Sequence, residues 1–120
     1  MNVWVLMGGG GADRGDAVIK VKFLQRFLVP LRSGLKTCTA RTERLGVAGE
    51  VFEAFGDQYM LTAVRRVTLK FVAECLWRYE GVGSPDEFRK VWKSLHPRAG
   101  FRPHRVVYIH HFERMRGGVG

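Results

Sequence analysis

Reactive side chains are concentrated in residues 33–41, whose sequence is SGLKTCTAR. Within this stretch Thr37, Thr39 and Arg41 occupy alternate positions, so in a strand they would lie on one face. Hydroxyls and a guanidinium on one face suit a ligand pocket, and a threonine hydroxyl becomes a nucleophile when a base takes its proton. The alternative is an exposed strand face in which threonine is present for its β propensity.

The segment before this stretch predicts a strand and then a helix. Residues 18–23 are rich in β-branched residues and predict a first strand. Apolar residues at i, i+3, i+4 and i+7 from Leu24 predict an amphipathic helix. Pro30 requires either a kink or a regular part that begins close to Val29. Gly34 permits the left-handed backbone that ends a helix and lets the chain turn into a strand.

After the reactive stretch, the pattern predicts a hairpin followed by a helix. Residues 49–55 alternate as a half-buried strand does, and a Gly56-Asp57 turn leads to its partner, residues 59–67. From Phe71 the apolar period becomes helical. The apolar stripe of this helix, which we expect to be core, comprises Phe71, Val72, Cys75, Leu76 and Tyr79.

Glu80 lies at the end of that helix, where an acid opposes the negative end of the helix dipole. A residue kept against local preference can be functional. The alternative is a surface acid, which costs only tenths of a kcal/mol at such a position.

A further helix has strong start signals. Ser84 can cap it, Pro85 suits the first turn and Glu87 can close a capping box. Residues 105–112 then form a β-rich closing strand. The expected buried face of the helix comprises Phe88, Val91, Trp92 and Leu95.

The predicted element order is β-α-β-β-β-α-α-β, with short turns joining the central strands. Such an order favours an antiparallel or mixed sheet, and bent strands in a short chain curl into a partly closed barrel. We therefore predict an α+β fold, a small mixed β-barrel of about five to six strands flanked by about three helices.

The composition is that of one small globular domain with excess positive charge. The chain has 120 residues, 46% of them hydrophobic, which fits a single core. Lys and Arg number 20 against 11 acids, giving a formal charge of +9. This balance favours RNA or DNA as partners, with simple solubility as the alternative. We expect a glycine-rich leader over residues 1–17, a domain over 18–113 and a frayed tail over 114–120.

The cysteines and histidines do not form a metal-binding pattern. Cys38 and Cys75 lack the paired spacing of a zinc site, and we expect both to be core residues. His110 and His111 are adjacent in a strand and point to opposite faces, while the remaining histidines, His96 among them, lie beside prolines in loops. We expect no metal and no cofactor. No apolar run suggests a membrane span or a signal peptide, so we expect a cytoplasmic protein, taken to be a monomer.

A basic loop joins the last helix to the closing strand. Arg98 and Arg102 flank Phe101, a mixture that can bind phosphates and stack on bases. The alternative is a solvated loop with one anchored aromatic residue.

With these residues in view, residues 18–112 resemble the ASCH family of small PUA-like β-barrel proteins. Gly34, Lys36 and Arg41 match the family pattern, while Thr39 stands where many members have glutamate. Threonine at that position, within a Lys-Thr-x-Thr-x-Arg run, is similar to the bacterial branch of N4-acetylcytidine amidohydrolases. The Phe-x-Gln-Arg-Phe of residues 23–27 adds to this likeness.

The resemblance implies a cleft between barrel and helices that takes a nucleobase. It implies Lys36 as proton acceptor, Thr39 as nucleophile and Glu80 as proton donor in removal of the acetyl group from N4-acetylcytidine. In a regular strand Lys36 and Thr39 would lie on opposite faces, so Lys36 must precede the strand or occupy a bulge. The expected substrate-binding or RNA-binding residues are Gly34, Thr37, Arg41, Arg26, Arg98, Phe101 and Arg102.

Two other functions remain open at this point. PUA-like barrels also bind RNA without reacting with it, and the net charge and the basic loop fit that function. An RNA-cleaving member of the same family would need only a base, an acid and phosphate-binding arginines. Fold analogy cannot separate these functions.

Overall fold

The computed structural model describes residues 18–115; the expected leader and residues 116–120 of the expected tail lie outside the described residues. Helical segment α1 is a 3-10 turn, Gln25–Phe27, followed by an α-helix, Leu28–Ser33. Segment α2 joins an α-turn, Leu69–Phe71, a wider π-turn, Val72–Leu76, and a 3-10 turn, Trp77–Glu80. Helix α3 is Pro85–Leu95. The strands are β1 Cys38–Arg41, β2 Val51–Ala54, β3 Asp57–Thr68 and β4 Val106–Arg114.

The strands form one curled antiparallel sheet in the order β1-β4-β3-β2, a half-barrel flanked by the three helical segments. This confirms the α+β fold class. The register of β3 with β4 changes between Leu61 and Ala63, an irregularity of the kind that increases local twist. The last strand includes Arg114, which the sequence assigned to the tail.

The first predicted strand, residues 18–23, is present only as a parallel bridge between Ile19 and Phe52. Farther along the segment, the Lys22 carbonyl accepts a hydrogen bond from Arg41 Nη2 at 2.5 Å. The segment therefore passes from the β2 edge of the sheet to the β1 edge instead of pairing with one strand. The segment covers the open side of the half-barrel, so alternate side chains face the core and the solvent. Buried Ile19 and exposed Lys20 show this alternation, which is also that of a strand.

The hairpin between β2 and β3 turns at Phe55 and Gly56. Both residues have positive φ, 52° and 87°, and Ala54 pairs with Asp57 across them. This two-residue geometry matches the right-handed twist of the flanking strands. The turn lies one residue earlier than the Gly56-Asp57 turn that the sequence suggested.

The core has a part on each side of the sheet. Inside the half-barrel, the Phe52 ring lies 5.3 Å from that of Tyr59 and 5.2 Å from that of Phe112, between centroids. The Phe23 ring lies 5.8 Å from Phe52 and extends this cluster towards β1. The part under the helices is formed by buried residues that include Leu69, Val72, Ala73, Phe88, Trp92, Val107 and Ile109.

The predicted apolar stripe of α2 is wrong at three of its positions. Phe71 and Tyr79 are 46% and 47% exposed, and Cys75 is exposed rather than a core residue. The reason is the change of helical pitch along α2, because a 3.6-residue period no longer selects one face once a π-turn is inserted. Cys38, by contrast, is buried as expected. Leu95 of α3, also expected to be buried, is 50% exposed.

Gly34 and Gly81, which end α1 and α2, allow a matched test of how closely the backbone packs at these two helix ends. Both are left-handed, with φ of 84° and 86°, but a Cβ at Gly34 would meet no atom of residues 18–115 within 4 Å. At Gly81 it would lie 2.9 Å from Lys36 Cβ and 3.2 Å from Pro30 Cβ. We expect Gly34→Ala to cost about 1 kcal/mol through backbone strain alone, and Gly81→Ala roughly 1–3 kcal/mol more through the clash.

Urea unfolding of the two variants measures this difference. Equal losses of stability would contradict the close packing of Gly81 against Lys36.

Candidate active site

A cavity of about 470 Å³ lies between β1, the segment that precedes α1, and α3. Most of its wall is apolar and polar or charged side chains form the rest, a combination that suits a small-molecule site. The apolar lining includes Phe23, Leu24, Phe27, Val91, Trp92 and Leu95. The polar lining includes Lys36, Thr39, Arg41 and Glu80.

Lys36 and Thr39 both line the cavity. In a regular strand they would lie on opposite faces, but only Thr39 belongs to β1, which begins at Cys38. After Gly34 ends α1, the Lys36 N–H donates to the Pro30 carbonyl at 2.9 Å. The Thr37 N–H then donates to the Tyr79 carbonyl at 2.8 Å, which attaches the chain to the end of α2. Lys36 therefore precedes β1, as the sequence required if it was to act beside Thr39.

Lys36 and Glu80 form a buried ion pair, with 2% and 5% of their surfaces exposed. Lys36 Nζ donates to Glu80 Oε1 at 3.0 Å, to the Glu80 carbonyl at 2.7 Å and to the Cys38 carbonyl at 3.0 Å. Nζ also lies 4.5 Å from the centroid of the Phe27 ring, within cation–π range. These acceptors take the three hydrogens of an ammonium group and offset the cost of burying it.

The buried polar atoms that lack a hydrogen-bond partner are concentrated at this cavity. Among the described residues such side-chain atoms are Glu80 Oε2, Trp92 Nε1 and Tyr59 Oη. Glu80 and Trp92 line the cavity, whereas Tyr59 belongs to the aromatic core. An unpaired buried acceptor or donor costs about 1–3 kcal/mol, so a ligand that pairs with both atoms recovers that free energy.

Arg41 orients the Thr39 hydroxyl. Arg41 Nε donates to Thr39 Oγ1 at 3.1 Å, so the hydroxyl hydrogen remains available for another acceptor. The guanidinium itself lies 5.1 Å from the Phe23 ring centroid. Burial lowers the pKa of Arg41, and the Glu80 charge opposes that effect.

His110 supports the backbone of β1 from the neighbouring strand. It is buried and pairs with Thr39 in the register of β1 with β4. Its Nε2 accepts from the Leu45 N–H at 3.0 Å, which leaves Nδ1 to donate to the Thr39 and Tyr108 carbonyls, at 3.3 Å and 3.1 Å. This pattern requires neutral imidazole, and burial lowers the pKa of His110 to about 4.

The structure brings together Lys36, Thr39, Arg41 and Glu80, but not the other residues expected to bind substrate. Gly34 ends α1, and Thr37 is half-buried outside the cavity lining. Arg26 forms a surface ion pair with Glu87, whose pKa is lowered by the Gly83 N–H and by that arginine.

The basic loop also lies outside the cavity lining. Arg98 and Arg102 are exposed. The Phe101 ring packs edge-on against Phe88 at 6.5 Å, and the Arg89 guanidinium lies 5.7 Å from its centroid. Phe101 is thus an anchored aromatic residue of the kind that the simpler interpretation required.

The cavity lining also contains residues to which the sequence analysis assigned no role in a site, among them Phe23, Phe27, Trp92 and His96. His96 follows α3, its ring stacked on Trp92 at 4.0 Å and its Nδ1 3.0 Å from the Trp92 carbonyl. The i, i+4 spacing of Trp92 and His96 and the repeated phenylalanine of residues 23–27 were the available signals. From the sequence, Trp92 is predicted to be a core residue and His96 a loop residue, and the two phenylalanines enter only as part of the family likeness.

In the part of the chain that the structure describes, no cluster of three or more His, Cys, Asp or Glu residues is arranged to hold a metal ion. Within the same residues, no helix has the length and apolar character needed to cross a membrane.

No protein-family model matches the chain, and no curated protein matches it. Solved structures do. Protein EF3133 from Enterococcus faecalis V583, described as DUF984, is 20% identical with a TM-score of 0.65, covering 95% of this chain and 92% of its own. An ASCH domain from Lactobacillus crispatus JV V101 is 15% identical with a TM-score of 0.60, over 72% of this chain and 68% of its own. The hypothetical protein PH0355 is 13% identical with a TM-score of 0.62, over 78% and 95%. The chain therefore has the PUA-like fold of an ASCH domain.

The burial of His110 should make the stability of the folded protein depend on pH. The pKa of His110 is about 4 in the folded protein against 6.5 for an ordinary histidine, so the unfolded chain binds the proton more tightly. Stability is therefore lost as pH falls from about 6.5 towards 4, by an amount on the order of 3 kcal/mol. We expect His110→Gln to remove most of that slope, in thermal or urea unfolding between pH 7 and about 4.

The control is His111→Gln, because His111 is only half-buried and its pKa is also lowered by burial. An unchanged slope in His110→Gln, or an equal change in both variants, would contradict the assignment.

Proposed function

We propose that this protein is an ASCH-family enzyme that binds N4-acetylcytidine in the cavity and hydrolyses its exocyclic amide. The observation that carries the proposal is the buried Lys36–Glu80 pair, in the same cavity lining as the Thr39 hydroxyl. A nucleophile, a basic group and an acidic group are the components that amide cleavage requires.

The cavity offers groups complementary to an acylated cytosine. Phe23, Phe27 and Trp92 provide the flat apolar surface on which a base can stack. The N4–H of the substrate can donate to Glu80 Oε2, and a carbonyl of the ligand can accept from Trp92 Nε1. These atoms belong to cavity residues and have no hydrogen-bond partner among the described residues. A ligand with a donor beside an acceptor thus satisfies both atoms.

The proposed reaction needs no group beyond these side chains and water. One proton moves across the 3.0 Å between Lys36 Nζ and Glu80 Oε1, leaving a neutral amine and a protonated carboxyl. Thr39 Oγ1 attacks the acetyl carbon and gives its proton to Lys36, while Glu80 protonates N4 as the C–N bond breaks. Water then hydrolyses the threonine ester, and acetate and cytidine are released.

One observation favours a second candidate, a nucleoside-binding or RNA-binding module without chemistry. The three hydrogen bonds from Lys36 Nζ occupy an ammonium group completely, so the nitrogen has no lone pair to take the Thr39 proton until one of its own protons moves to Glu80. If that transfer does not occur, the same cavity binds the base and leaves the amide intact.

Thr39→Val tests the nucleophile, since it removes the hydroxyl and keeps the shape of the side chain. We expect the rate at which cytidine and acetate are released from N4-acetylcytidine to fall roughly 10²-fold or more. Chromatography of the products measures this rate. Thr39→Ser should retain part of the activity.

The matched control is Thr37→Val, which removes a hydroxyl two residues away and outside the cavity lining. Wild-type turnover in Thr39→Val would exclude the mechanism, as would an equal loss in Thr37→Val. A wild-type protein that binds the nucleoside without releasing acetate would establish the binding module instead.

Glu80→Gln tests recognition of the base separately from the chemistry. Because Oε1 must still accept from Lys36, the new amide NH₂ takes the position of Oε2 and meets the N4–H donor of the base. We expect the affinity for cytidine, which retains N4–H donors, to fall about tenfold or more in calorimetry. Unchanged affinity would show that Glu80 Oε2 does not contact the base.

A further inference from the structure

A cross-strand row of side chains leads from the cavity over the sheet. Arg41 of β1 pairs with Tyr108 of β4, and Tyr108 pairs with Arg66 of β3. Directly paired residues lie on the same face of a sheet, so these three side chains form one row. At a strand spacing of about 4.8 Å, the backbone positions of Arg41 and Arg66 are roughly 10 Å apart.

The row extends from a site residue to an exposed cation. Arg41 lines the cavity, Tyr108 is half-buried and Arg66 is exposed. Arg44, also exposed, places its guanidinium carbon 5.8 Å from the centroid of the Tyr108 ring. The aromatic ring thus holds a further arginine over the middle of the row.

The neighbouring rows on the same face contain no acidic residue. On one side Thr39, His110 and Val64 are paired, and on the other Val106 is paired with Thr68. Glu43, at the cavity lining, is the acid next to Arg44 in the chain. Three arginines and a tyrosine therefore form a positively charged strip that begins at the cavity.

We propose that this strip, consisting of Arg41, Arg44, Arg66 and Tyr108, binds the sugar-phosphate backbone of a single-stranded RNA whose target base enters the cavity. This inference rests on the proposed function, in which the cavity binds the base of N4-acetylcytidine. Arginine and aromatic groups in a row are the features that follow a nucleic-acid backbone. A single strand is required because a base inside a duplex is stacked and paired, and its N4 edge cannot enter a cavity lined by Lys36 and Glu80.

The double variant Arg44→Gln/Arg66→Gln tests the strip, since both side chains are exposed and Arg41 of the cavity stays in place. The probe is a fluorescently labelled single-stranded RNA of about 10 nucleotides with one central N4-acetylcytidine, measured by fluorescence anisotropy at several salt concentrations. We expect the affinity to fall about tenfold or more, and the slope of log K against log salt to decrease by about 1 to 2. Turnover of the free nucleoside should be unchanged.

The matched control is Arg98→Gln/Arg102→Gln, which removes the same charge from the exposed basic loop. An equal loss of affinity in both double variants would overturn the proposal, because net charge rather than this strip would then explain binding. No loss in Arg44→Gln/Arg66→Gln would also overturn it, as would equal affinity for a duplex of the same sequence.

The design separates this inference from the proposed function. If the free nucleoside is hydrolysed but the wild type has no salt-dependent affinity for the RNA, the strip is excluded and the enzyme assignment stands. If the RNA binds through the strip while neither RNA nor nucleoside loses acetate, the strip stands and the amidohydrolase assignment fails.

Discussion

The buried pair of Lys36 and Glu80 is the interaction on which the arrangement of the site depends. Removing two charges from water is costly, and their attraction repays that cost only when the remaining hydrogen-bonding capacity is satisfied. Lys36 Nζ meets this condition through two backbone carbonyls and one carboxylate oxygen. Because the partners are 44 positions apart in the chain, satisfying the pair joins the end of α1 and the start of β1 to the end of α2.

The backbone packs closely around the pair. Gly81 follows Glu80 with positive φ and lies so close to Lys36 and Pro30 that a Cβ would be within 3.2 Å of each. The change from π-turn to 3-10 turn in α2 places Glu80 inside the protein while Tyr79 beside it is exposed. Glu80 thus departs from local helical preference for a structural reason, and its second oxygen remains buried without a partner.

The proposed function and the proposed strip together imply two kinds of recognition. Inside the cavity, apolar rings and a few buried polar atoms suit a neutral flat base, for which shape and hydrogen bonds decide affinity. Outside it, the strip of Arg41, Arg44, Arg66 and Tyr108 would suit phosphates, for which affinity depends on charge and salt. Arg41 belongs to both the cavity and the strip. It donates a hydrogen bond to Thr39 Oγ1 and is the first residue of the cross-strand row.

Local signals in the sequence determined the parts of this protein that depend on near neighbours. The cap at Ser84, the left-handed end of α1 at Gly34 and the hairpin were predictable because turn and cap geometry involves only a few adjacent residues. The fold class, and the prediction that residues 36–41 contribute to a functional site, followed from such signals together with the resemblance to the ASCH family. Tertiary structure alone decided the pitch of α2, the exposure of Cys75 and the place of His96 and Trp92 in the cavity. These features arise where segments distant in the chain pack together, and neither hydrophobic period nor local preference contains that information.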